Sequence, residues 1–383
     1  MKVAVLNEVR SGERRVALVP QGVKELVKAG LEVVVESSAG SGSGIDDHAY
    51  SEAGATIAPS AAAALEGAGI VVRATPPSMT EPDEVAILRR GTILIAFLNP
   101  LGRPDLVRRL AEAGVTAISM EMVPRITRAQ SMDALSSQAT IAGYKAVLMA
   151  ADHLPKLLPM LTTAAGTIRP GKALVLGAGV AGLQALATAR RLGAVVEAFD
   201  VRPAVKEQVQ SLGARFLEAS EEVTAEGEGG YAKELSEDQH RKELELIAGA
   251  IPEADIVITT AQIPGREAPT LITEAMVRSM RPGSVIVDLA SESGGNCELT
   301  RSGEHVTAHG VQILGPVNLP ASIPVHASQM YSKNVVTLLR ELLDKEGALA
   351  LDFENDVIGP ATVTHDGEVR NERVRAALEA TVS

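Results

Sequence analysis

The sequence predicts an α/β fold, with two doubly wound Rossmann-like domains that contain parallel sheets and are joined by one long helix. Short runs rich in valine and isoleucine alternate with helix-like segments, which is typical of parallel sheets buried on both faces. A glycine-rich fingerprint follows one of these runs. The length of 383 residues, with 46% hydrophobic and 22% charged residues, fits a globular protein with two cores.

The first domain is predicted from alternating strand and helix signals. The segments "PQGVKELVKAG" and "RPDLVRRLAEAG" read as helices, and each ends in glycine, a common helix stop. Strands and helices in this alternation form the layers of a doubly wound sheet. The predicted strands of this domain cover residues 2–6, 31–36, 69–75, 92–98 and 115–120.

A helical stretch from about Ser131 to about Leu161 separates the first set of strands from a second set. An amphipathic segment at 324–346 follows the second set and is expected to pack on the first domain. We therefore predict one domain of residues 1–133 completed by 325–383, and another of residues 134–324. The second set of predicted strands covers residues 173–177, 194–200, 214–218, 255–261, 284–290 and 311–315.

The stretch "ALVLGAGVAGLQALATARRLGAVVEAFD" has the strand, turn, helix and second strand of a dinucleotide-binding unit. Gly177 allows a tight turn, Gly179 lets a pyrophosphate approach the backbone, and Gly182 lets the helix pack close to the strand. The free N–H groups at the start of the helix are a site for phosphates. Asp200 ends the second strand, where a carboxylate accepts hydrogen bonds from ribose hydroxyls.

The end of this second strand also predicts which nucleotide binds. A 2′-phosphate would face the Asp200 carboxylate, so we predict NAD(H) rather than NADP(H). Arg202 is the alternative signal, because a guanidinium can pair with such a phosphate. The predicted nucleotide-binding residues of this region are Gly177, Gly179, Val180, Gly182, Asp200, Val201 and Arg202.

Two further segments follow predicted strands and lie at the sheet edge where ligands bind in such folds. "TTAQIPGREAP" contains Ala261, Gln262 and a Pro-Gly turn, and we predict it as a wall for the nicotinamide. "VDLASESGGNCELT" places Asp288 and Glu292 after a strand. It reads equally as a ligand-binding edge or as an acidic turn.

An acidic segment at 219–245 departs from the strand and helix alternation and carries glycines around Tyr231. One interpretation is a solvated surface excursion. The other is a flap with Tyr231 at its tip, because long loops in compact domains are often lids.

Composition excludes several classes of function. The net charge of −12 disfavours nucleic acid and a bare anionic membrane surface as partners. Cys297 is the one cysteine, which rules out an internal disulfide and a multi-cysteine metal site. His305 and His309 lack acidic ligand spacing, so we expect no metal site. No apolar run approaches the about 18 residues of a membrane span, and we predict a cytoplasmic chain.

Several motifs together resemble one family. They are "RAQSMDALSSQ", "LGAGVAGLQA" with "DVR", "GGYAKE", "ITTAQIPGREAPTLIT", "DLASESGGNC" and "YSKN". They resemble the NAD(H)-binding first domain of proton-translocating NAD(P) transhydrogenases, in the form where that domain is a separate alpha subunit. The resemblance covers nearly the whole chain. It implies hydride transfer between NADH and NADP held on a partner domain, coupled to proton translocation by membrane partner subunits.

The resemblance also implies roles for individual residues. Transfer between two nicotinamides moves a hydride and no proton, so the site must supply positioning. Gly230 and Tyr231 would lie on a loop that closes over the nucleotide. The alternative for the polar stretch is a helix N-cap cluster, in which a serine or aspartate such as Ser131 caps the next helix. The residues implied to position the nicotinamide are Arg125, Gln130, Asp133 and Ser136.

The same fold is shared with alanine dehydrogenase. The alternative function is therefore that of an alanine dehydrogenase-like amino-acid dehydrogenase. Arg15 stands where that enzyme has an arginine for the substrate carboxylate. Its lysine and histidine correspond to Thr75 and Asn99, and its aspartate corresponds to Glu292. Neither Thr75 nor Asn99 performs acid–base work near neutral pH. The sequence therefore favours the transhydrogenase prediction.

The resemblance implies partners as well. We expect a homodimer that docks on membrane-embedded transhydrogenase subunits, at the inner face of the cytoplasmic membrane. This chain has one dinucleotide fingerprint, so the NADP-binding domain is expected on a partner. Neither a nucleic-acid partner nor a membrane span of its own is expected.

Overall fold

The structure, a computed structural model, describes residues 1–218, 236–263, 265–344 and 346–380. The chain folds into two compact units. Unit 1 comprises Met1–Gln138 and Pro320–Ser383, and unit 2 comprises Ala139–Leu319. Each unit has a mainly parallel sheet and its own hydrophobic cores. The α/β class predicted from the sequence is confirmed.

The elements are numbered along the chain. The strands of the described residues are β1 (Lys2–Val5), β2 (Glu32–Glu36), β3 (Thr56–Ala58), β4 (Ile70–Val72), β5 (Ile93–Ala96), β6 (Thr116–Ser119), β7 (Leu161–Thr163), β8 (Gly166–Ile168), β9 (Lys172–Leu176), β10 (Val195–Phe199), β11 (Arg215–Phe216), β12 (Ile256–Thr259), β13 (Val285–Asp288), β14 (His305–Ala308), β15 (Val311–Leu314), β16 (Thr362–His365) and β17 (Glu368–Val369). The α-helices are α1 (Pro20–Lys28), α2 (Asp47–Glu52), α3 (Ala61–Leu65), α4 (Pro104–Glu112), α5 (Ala134–His153), α6 (Val180–Arg191), α7 (Lys206–Ser211), α8 (Glu237–Ala250), α9 (Glu274–Ser279), α10 (Pro324–Glu341), α11 (Ile358–Ala361) and α12 (Glu372–Ala380).

The sheet of unit 1 has the strand order β3-β2-β1-β4-β5-β6-β16-β17 in the described residues of the chain. The strands from β3 to β6 run parallel. Every residue of β4, β5 and β6 is buried, as expected for a sheet covered on both faces. The C-terminal strands β16 and β17 add an antiparallel edge to this otherwise parallel sheet.

The sheet of unit 2 has the order β11-β10-β9-β12-β13-β15-β14 among the residues described. The first six strands of that order are parallel and follow the usual Rossmann sequence of crossovers, with the direction of winding reversed between β9 and β12. The strand β14 is antiparallel to β15, so this sheet too is mixed at its edge. The reversal places the ends of β9 and β12 side by side, where ligands bind in such folds.

The predicted linking helix begins at about Ser131, whereas α5 begins at Ala134. Residues Thr127–Met132 form a separate 3₁₀ helix. The Asp133 carboxylate accepts a hydrogen bond from the N–H of Ser136 at 2.9 Å, which is the geometry of an N-cap. The cap is therefore the aspartate, and the helix starts one turn later than the pattern indicates.

The predicted C-terminal end of this helix, near Leu161, is also wrong, because α5 ends at His153. Pro155 follows, and the residue before a proline avoids helical backbone. The strands β7 and β8 then form an antiparallel hairpin, and all of their residues are exposed. The sequence pattern does not predict this hairpin, since three-residue strands carry little periodic signal.

The helix α10 packs in the core of unit 1, and Pro324 occupies its first turn, where proline suits a helix start. Its residues Ala327, Tyr331, Val335 and Leu339 are fully buried. Among the residues that the structure describes, no helix is both long enough and apolar enough to cross a membrane.

We predict that Gly143→Ala destabilises unit 2. The Cβ of an alanine at this position in α5 would lie 2.0 Å from the carbonyl oxygen of Ala181 in α6, so the two helices would have to separate. Overpacking of this kind costs about 1–3 kcal/mol. The measurement is the midpoint of urea-induced unfolding.

The matched control is Gly249→Ala, which also adds one methyl group to a helix of unit 2. No described atom lies within 4 Å of the Cβ that it would carry. We expect a gain of about 0.4–1 kcal/mol, because alanine reduces the entropy of the unfolded chain. Equal midpoints for the two variants would contradict the close packing of α5 on α6.

Candidate nucleotide-binding site

The turn from β9 into α6 is shaped by its glycines. Gly177 has φ +94°, a left-handed conformation that side chains strongly disfavour. A Cβ at Gly182 would lie 1.9 Å from the carbonyl oxygen of Gly177, so only glycine lets α6 approach β9 this closely. By contrast, a Cβ at Gly179 would meet nothing nearer than the Nη2 of Arg202, at 3.8 Å. The open side of the turn therefore lies over Gly179.

The helix α6 begins at Val180, which is 37% exposed, and Gly179 is its N-cap residue. No side chain among the described residues caps this end of the helix. Its first N–H groups and the positive end of the helix dipole are therefore available to an anion such as a pyrophosphate. The predicted role of this turn fits the geometry.

Asp200 is buried, and four hydrogen bonds from donors in the described part of the chain reach its carboxylate. One comes from the backbone N–H of Ala178 in the glycine turn, at 2.7 Å. The other three come from Arg202, through its backbone N–H at 2.9 Å, its Nε at 2.8 Å and its Nη2 at 2.7 Å. A carboxylate has about four acceptor sites, so ribose hydroxyls would replace the guanidinium on Asp200.

This pairing bears on the choice between the two nucleotides. The guanidinium of Arg202 is held by Asp200 in an ion pair, with 17% of the Arg202 side chain and 4% of the Asp200 side chain exposed. A 2′-phosphate on a ribose bound at Asp200 would lie close to that carboxylate, and like charges repel. The pair therefore supports a nucleotide without that phosphate.

The end of β12 lies beside the glycine turn. Thr260 donates a hydrogen bond from its Oγ1 to the carbonyl oxygen of Gly177 at 2.9 Å. Gln262 donates from its Nε2 to the carbonyl oxygen of Leu289 at 2.8 Å. The predicted residues Ala261 and Gln262 are thus brought next to the fingerprint. Sequence reasoning missed Thr260, although its position at a strand end is a usable signal.

The remaining predicted residues of unit 2 divide into two groups. Val201 is half-buried and packs against the cluster that contains Phe199 and Val257. Gly230 and Tyr231 lie outside the described residues, as does most of the acidic segment in which they occur.

In unit 1, the structure brings together three of the four residues expected to position the nicotinamide. Ser136 donates a hydrogen bond from its Oγ to Asp133 at 2.6 Å, and the Nε of Arg125 lies 3.9 Å from the Asp133 Oδ2. Gln130 is exposed on the 3₁₀ helix before them. Capping of α5 accounts for Asp133 and Ser136, whereas it assigns no role to Arg125 or Gln130.

The other polar residues of this stretch serve the fold of unit 1. Asn334 on α10 donates a hydrogen bond to the carbonyl oxygen of Ser131 at 2.9 Å. Arg128 pairs with Asp356 and with Glu341, and the Asp356 contact raises the pKa of the guanidinium. Sequence reasoning missed Asn334, because its partner lies far away along the chain.

The residues at the positions that correspond to alanine dehydrogenase site residues form hydrogen bonds within the fold. Burial alone would lower the pKa of Arg15, but the Glu13 carboxylate, at 2.7 Å from its Nη2, holds the pKa above its ordinary value. Thr75 is buried and donates both its N–H and its hydroxyl to Glu8. In unit 2, Glu292 accepts a hydrogen bond from the N–H of Asn318 at 3.0 Å.

Asn99 has φ +50°, and its backbone N–H donates to the carboxylate of Glu121 at 2.5 Å. Burial raises the pKa of Glu121, while hydrogen bonds from Ser119, Asn99 and Leu98 offset part of that rise. Glu121 thus fixes the loop after β5, a role that sequence reasoning missed. Among the described residues, no three His, Cys, Asp or Glu side chains are arranged to hold a metal ion.

Comparison with known families agrees with the architecture of both units. Residues 4–142 match the family model "Alanine dehydrogenase/PNT, N-terminal domain", and residues 146–372 match "Alanine dehydrogenase/PNT, C-terminal domain". The chain belongs to the alanine dehydrogenase/PNT family. The family resemblance predicted from the motifs is confirmed.

The relatives of this chain include two branches of the family, the transhydrogenase alpha subunits and the alanine dehydrogenases. The chain is 48% identical over 373 residues to NAD(P) transhydrogenase subunit alpha of Cereibacter sphaeroides, with 96% of this chain and 71% of that protein covered. It is 32% identical over 389 residues to alanine dehydrogenase of Bacillus subtilis, with 99% and 95% covered. The similarity to the transhydrogenase subunit is therefore substantially greater.

Solved structures in the family show the same fold. Transhydrogenase from Sinorhizobium meliloti matches with a TM-score of 0.86 and 46% identity, over 96% of this chain and 100% of that one. An L-alanine dehydrogenase matches with a TM-score of 0.83 and 28% identity, over 99% of each chain. Fold alone does not separate the two branches, so the site residues must.

The glycine turn yields a prediction that separates binding from folding. Gly179→Ala is expected to keep the melting temperature, because its methyl group would enter open space, and to weaken NADH binding by about tenfold or more by displacing the pyrophosphate. Gly182→Ala is expected to lower the melting temperature as well, since its methyl group would overlap the backbone of Gly177. NADH fluorescence is the binding measurement, because the chain has no tryptophan. Full NADH affinity in Gly179→Ala would contradict the assignment of this turn.

Proposed function

We propose that this chain is the NAD(H)-binding subunit of a proton-translocating transhydrogenase. It would pass hydride between its own NADH and NADP held on a partner domain, in a reaction coupled to proton translocation by membrane subunits. The observation that carries the proposal is the glycine turn with its Asp200 carboxylate, in a chain 48% identical over 373 residues to a named NAD(P) transhydrogenase subunit alpha.

The residues of unit 2 would hold the adenosine and pyrophosphate. Gly179, Val180 and the start of α6 bind the pyrophosphate through backbone N–H groups. Asp200 accepts the ribose hydroxyls, and Val201 and Arg202 line the same end. Ala261 and Gln262 form a wall at the nicotinamide, and Gly230 and Tyr231 belong to a loop that closes over the nucleotide.

The polar residues of unit 1 would position the nicotinamide. Arg125, Asp133 and Ser136 orient its carboxamide through hydrogen bonds, and Gln130 reaches the ring side or the partner's nucleotide. The bound nucleotide supplies the hydride, so the protein needs to hold the reactants in contact and exclude water. The proximity of Arg125 to Asp133, with the Nε of Arg125 at 3.9 Å from the Asp133 Oδ2, supports this role because it places the two side chains next to each other.

The same reasoning disfavours an alanine dehydrogenase activity. Oxidation of an amine moves a proton as well as a hydride, which requires a general acid or base near the substrate. Thr75 and Asn99 supply neither, and the hydroxyl of Thr75 is committed to Glu8. L-Alanine with NAD⁺ should therefore yield no NADH.

We also propose that the chain acts as a homodimer on membrane-embedded partner subunits, peripheral to the inner face of the cytoplasmic membrane. The β7–β8 hairpin supports the homodimer. Met160, Leu161 and Ile168 are 64%, 42% and 46% exposed, and an isolated two-stranded hairpin is marginally stable in water. A second copy of the chain would cover this apolar surface.

The direct experiment mixes the chain with an isolated NADP(H)-binding domain of a transhydrogenase. Reduction of an acetylated NAD analogue by NADPH is followed by absorbance, with either protein alone as the control. Transfer that needs both proteins is the expected result. NADH binding without transfer, together with NADH production from L-alanine, would instead establish the dehydrogenase activity.

Gln130→Ala is predicted to slow this transfer by about tenfold or more, because misplacement of bound reactants is costly. NADH affinity and the melting temperature should stay unchanged, since Gln130 is exposed. The exposed Gln210→Ala in α7 is the matched control, and it should leave transfer at the original rate. Equal rates in both variants would remove Gln130 from the site.

Asp200→Ala is predicted to shift the nucleotide preference towards NADPH by about tenfold, the effect of removing one like-charge contact of about 1.4 kcal/mol. The change removes the carboxylate and leaves the Arg202 guanidinium to face a 2′-phosphate. The double variant Asp200→Ala with Arg202→Gln should lose this gain. The measurement is the ratio of dissociation constants for NADH and NADPH, and an unchanged ratio would contradict the role of the pair.

A further inference from the structure

Asp288, at the end of β13, is fully buried and accepts five hydrogen bonds from other described residues. The donors come from β12, from the residues that directly follow β13 and from the glycine-containing loop after them. They are Thr259 Oγ1 at 2.9 Å, Ala290 N at 3.0 Å, Asn296 N at 2.7 Å, Cys297 N at 3.0 Å and Thr300 Oγ1 at 2.7 Å. A buried carboxylate with this many donors is well satisfied, and it fixes the loop that contains Asn296.

The side chain of Asn296, which is fully buried, pairs with the backbone after β12. Its Oδ1 accepts from the N–H of Ala261 at 3.0 Å, and its Nδ2 donates to the carbonyl oxygen of Ala261 at 2.9 Å. The Nδ2 also donates to the carbonyl oxygen of Pro269 at 2.8 Å. One side-chain amide thus satisfies both polar groups of Ala261, as a neighbouring strand would.

This pairing depends on the chemistry of the amide. Of the short side chains, asparagine has one acceptor and two donors on a planar group, and all three are used here. An aspartate has the same size but no donor when ionised, so its second oxygen would face two carbonyl oxygens. The replacement would leave the buried carbonyl oxygens of Ala261 and Pro269 without a donor, and the free energy of folding would then carry their full desolvation penalty.

We infer that Asn296 is a positioning residue for the nicotinamide wall, because it sets the backbone of Ala261 through a two-way hydrogen-bond pair while Asp288 fixes Asn296 itself. The neighbouring residues support this inference. Thr260 is bound to Gly177, and Gln262 is bound to Leu289, so the whole segment is held at defined points. The inference rests on the proposed function, in which Ala261 and Gln262 contact the nucleotide.

The test is Asn296→Asp in the full chain, assayed with the NADP(H)-binding partner domain. We expect transfer at saturating nucleotide to fall by about 10- to 100-fold, since a shift of about 1 Å in a positioning group has this effect. The dissociation constant for NADH should change less than about threefold, because Asp200 and the glycine turn are untouched. Hydrogen exchange of the backbone around Ala261 should become about tenfold faster, since the carboxylate would repel the carbonyl oxygens of Ala261 and Pro269 and this loop would open more easily.

The matched control is Ser284→Ala, which removes a buried hydrogen bond to the carbonyl oxygen of Ala254 at the opposite end of β13. It should leave both transfer and exchange around Ala261 unchanged. If Asn296→Asp does not fold, Asn296→Ser takes its place, because a small hydroxyl cannot bridge both groups of Ala261.

The outcomes separate the two proposals. Loss of transfer with retained NADH binding and faster exchange at Ala261 supports the positioning role. Full transfer in Asn296→Asp, or faster exchange at Ala261 without slower transfer, would overturn it. Absence of transfer in the unaltered chain would overturn the proposed function instead, and the exchange measurement would then still decide whether Asn296 holds Ala261.

Discussion

The arrangement of the candidate nucleotide-binding site in unit 2 depends on a close contact between the backbones of β9 and α6. The first turn of α6 lies so close to the end of β9 that a Cβ at Gly182 would lie 1.9 Å from the carbonyl oxygen of Gly177. Neighbouring strands are then tied to the same turn, since Asp200 after β10 bonds to Ala178 and Thr260 after β12 bonds to Gly177. The close packing of α6 on β9 therefore brings the polar groups of Asp200 and Thr260 to the same turn.

The polar residues between Arg125 and Ser136 in unit 1 have different physical roles, although composition makes them look alike. Asp133 and Ser136 satisfy the start of α5, and Arg128 ties a 3₁₀ helix to acidic residues of the C-terminal segment. Arg125 lies beside Asp133, and both Arg125 and Gln130 are exposed, where they are accessible to a ligand. The hydrogen bonds therefore divide this polar stretch into residues that stabilise the fold and residues that are accessible to a ligand, a division that the sequence alone does not show.

Much of the fold was predictable from the sequence for a simple reason. Strands such as β5 and β13 are buried on both faces, so their apolar runs are unbroken and easily read. The glycine fingerprint was predictable because its spacing is set by local backbone geometry. The start of α5 was not, because a 3₁₀ turn and an α-helix share the same local signals and the cap decides between them.

The contacts that were missed join residues far apart in sequence. Asn296 and Ala261 are brought together by the order of the strands, and nothing in the local pattern of either segment indicates the pairing. The antiparallel edge strand β16 was missed for the same reason, because it pairs with the distant strand β6. Asp200 was placed correctly at a strand end, but its ion pair with Arg202 emerges only when the side chains are seen together.

The Asp288 network has a practical consequence for chemical labelling. Its loop encloses Cys297, the one cysteine of the sequence, and burial raises the pKa of that thiol to about 11. The thiolate, which is the reactive form, is therefore scarce at neutral pH, and the sulfur is also inaccessible. A single cysteine introduced at an exposed position such as Tyr144 would react alone with a maleimide dye or spin label. Distances to a labelled partner could then be measured without first removing the native residue.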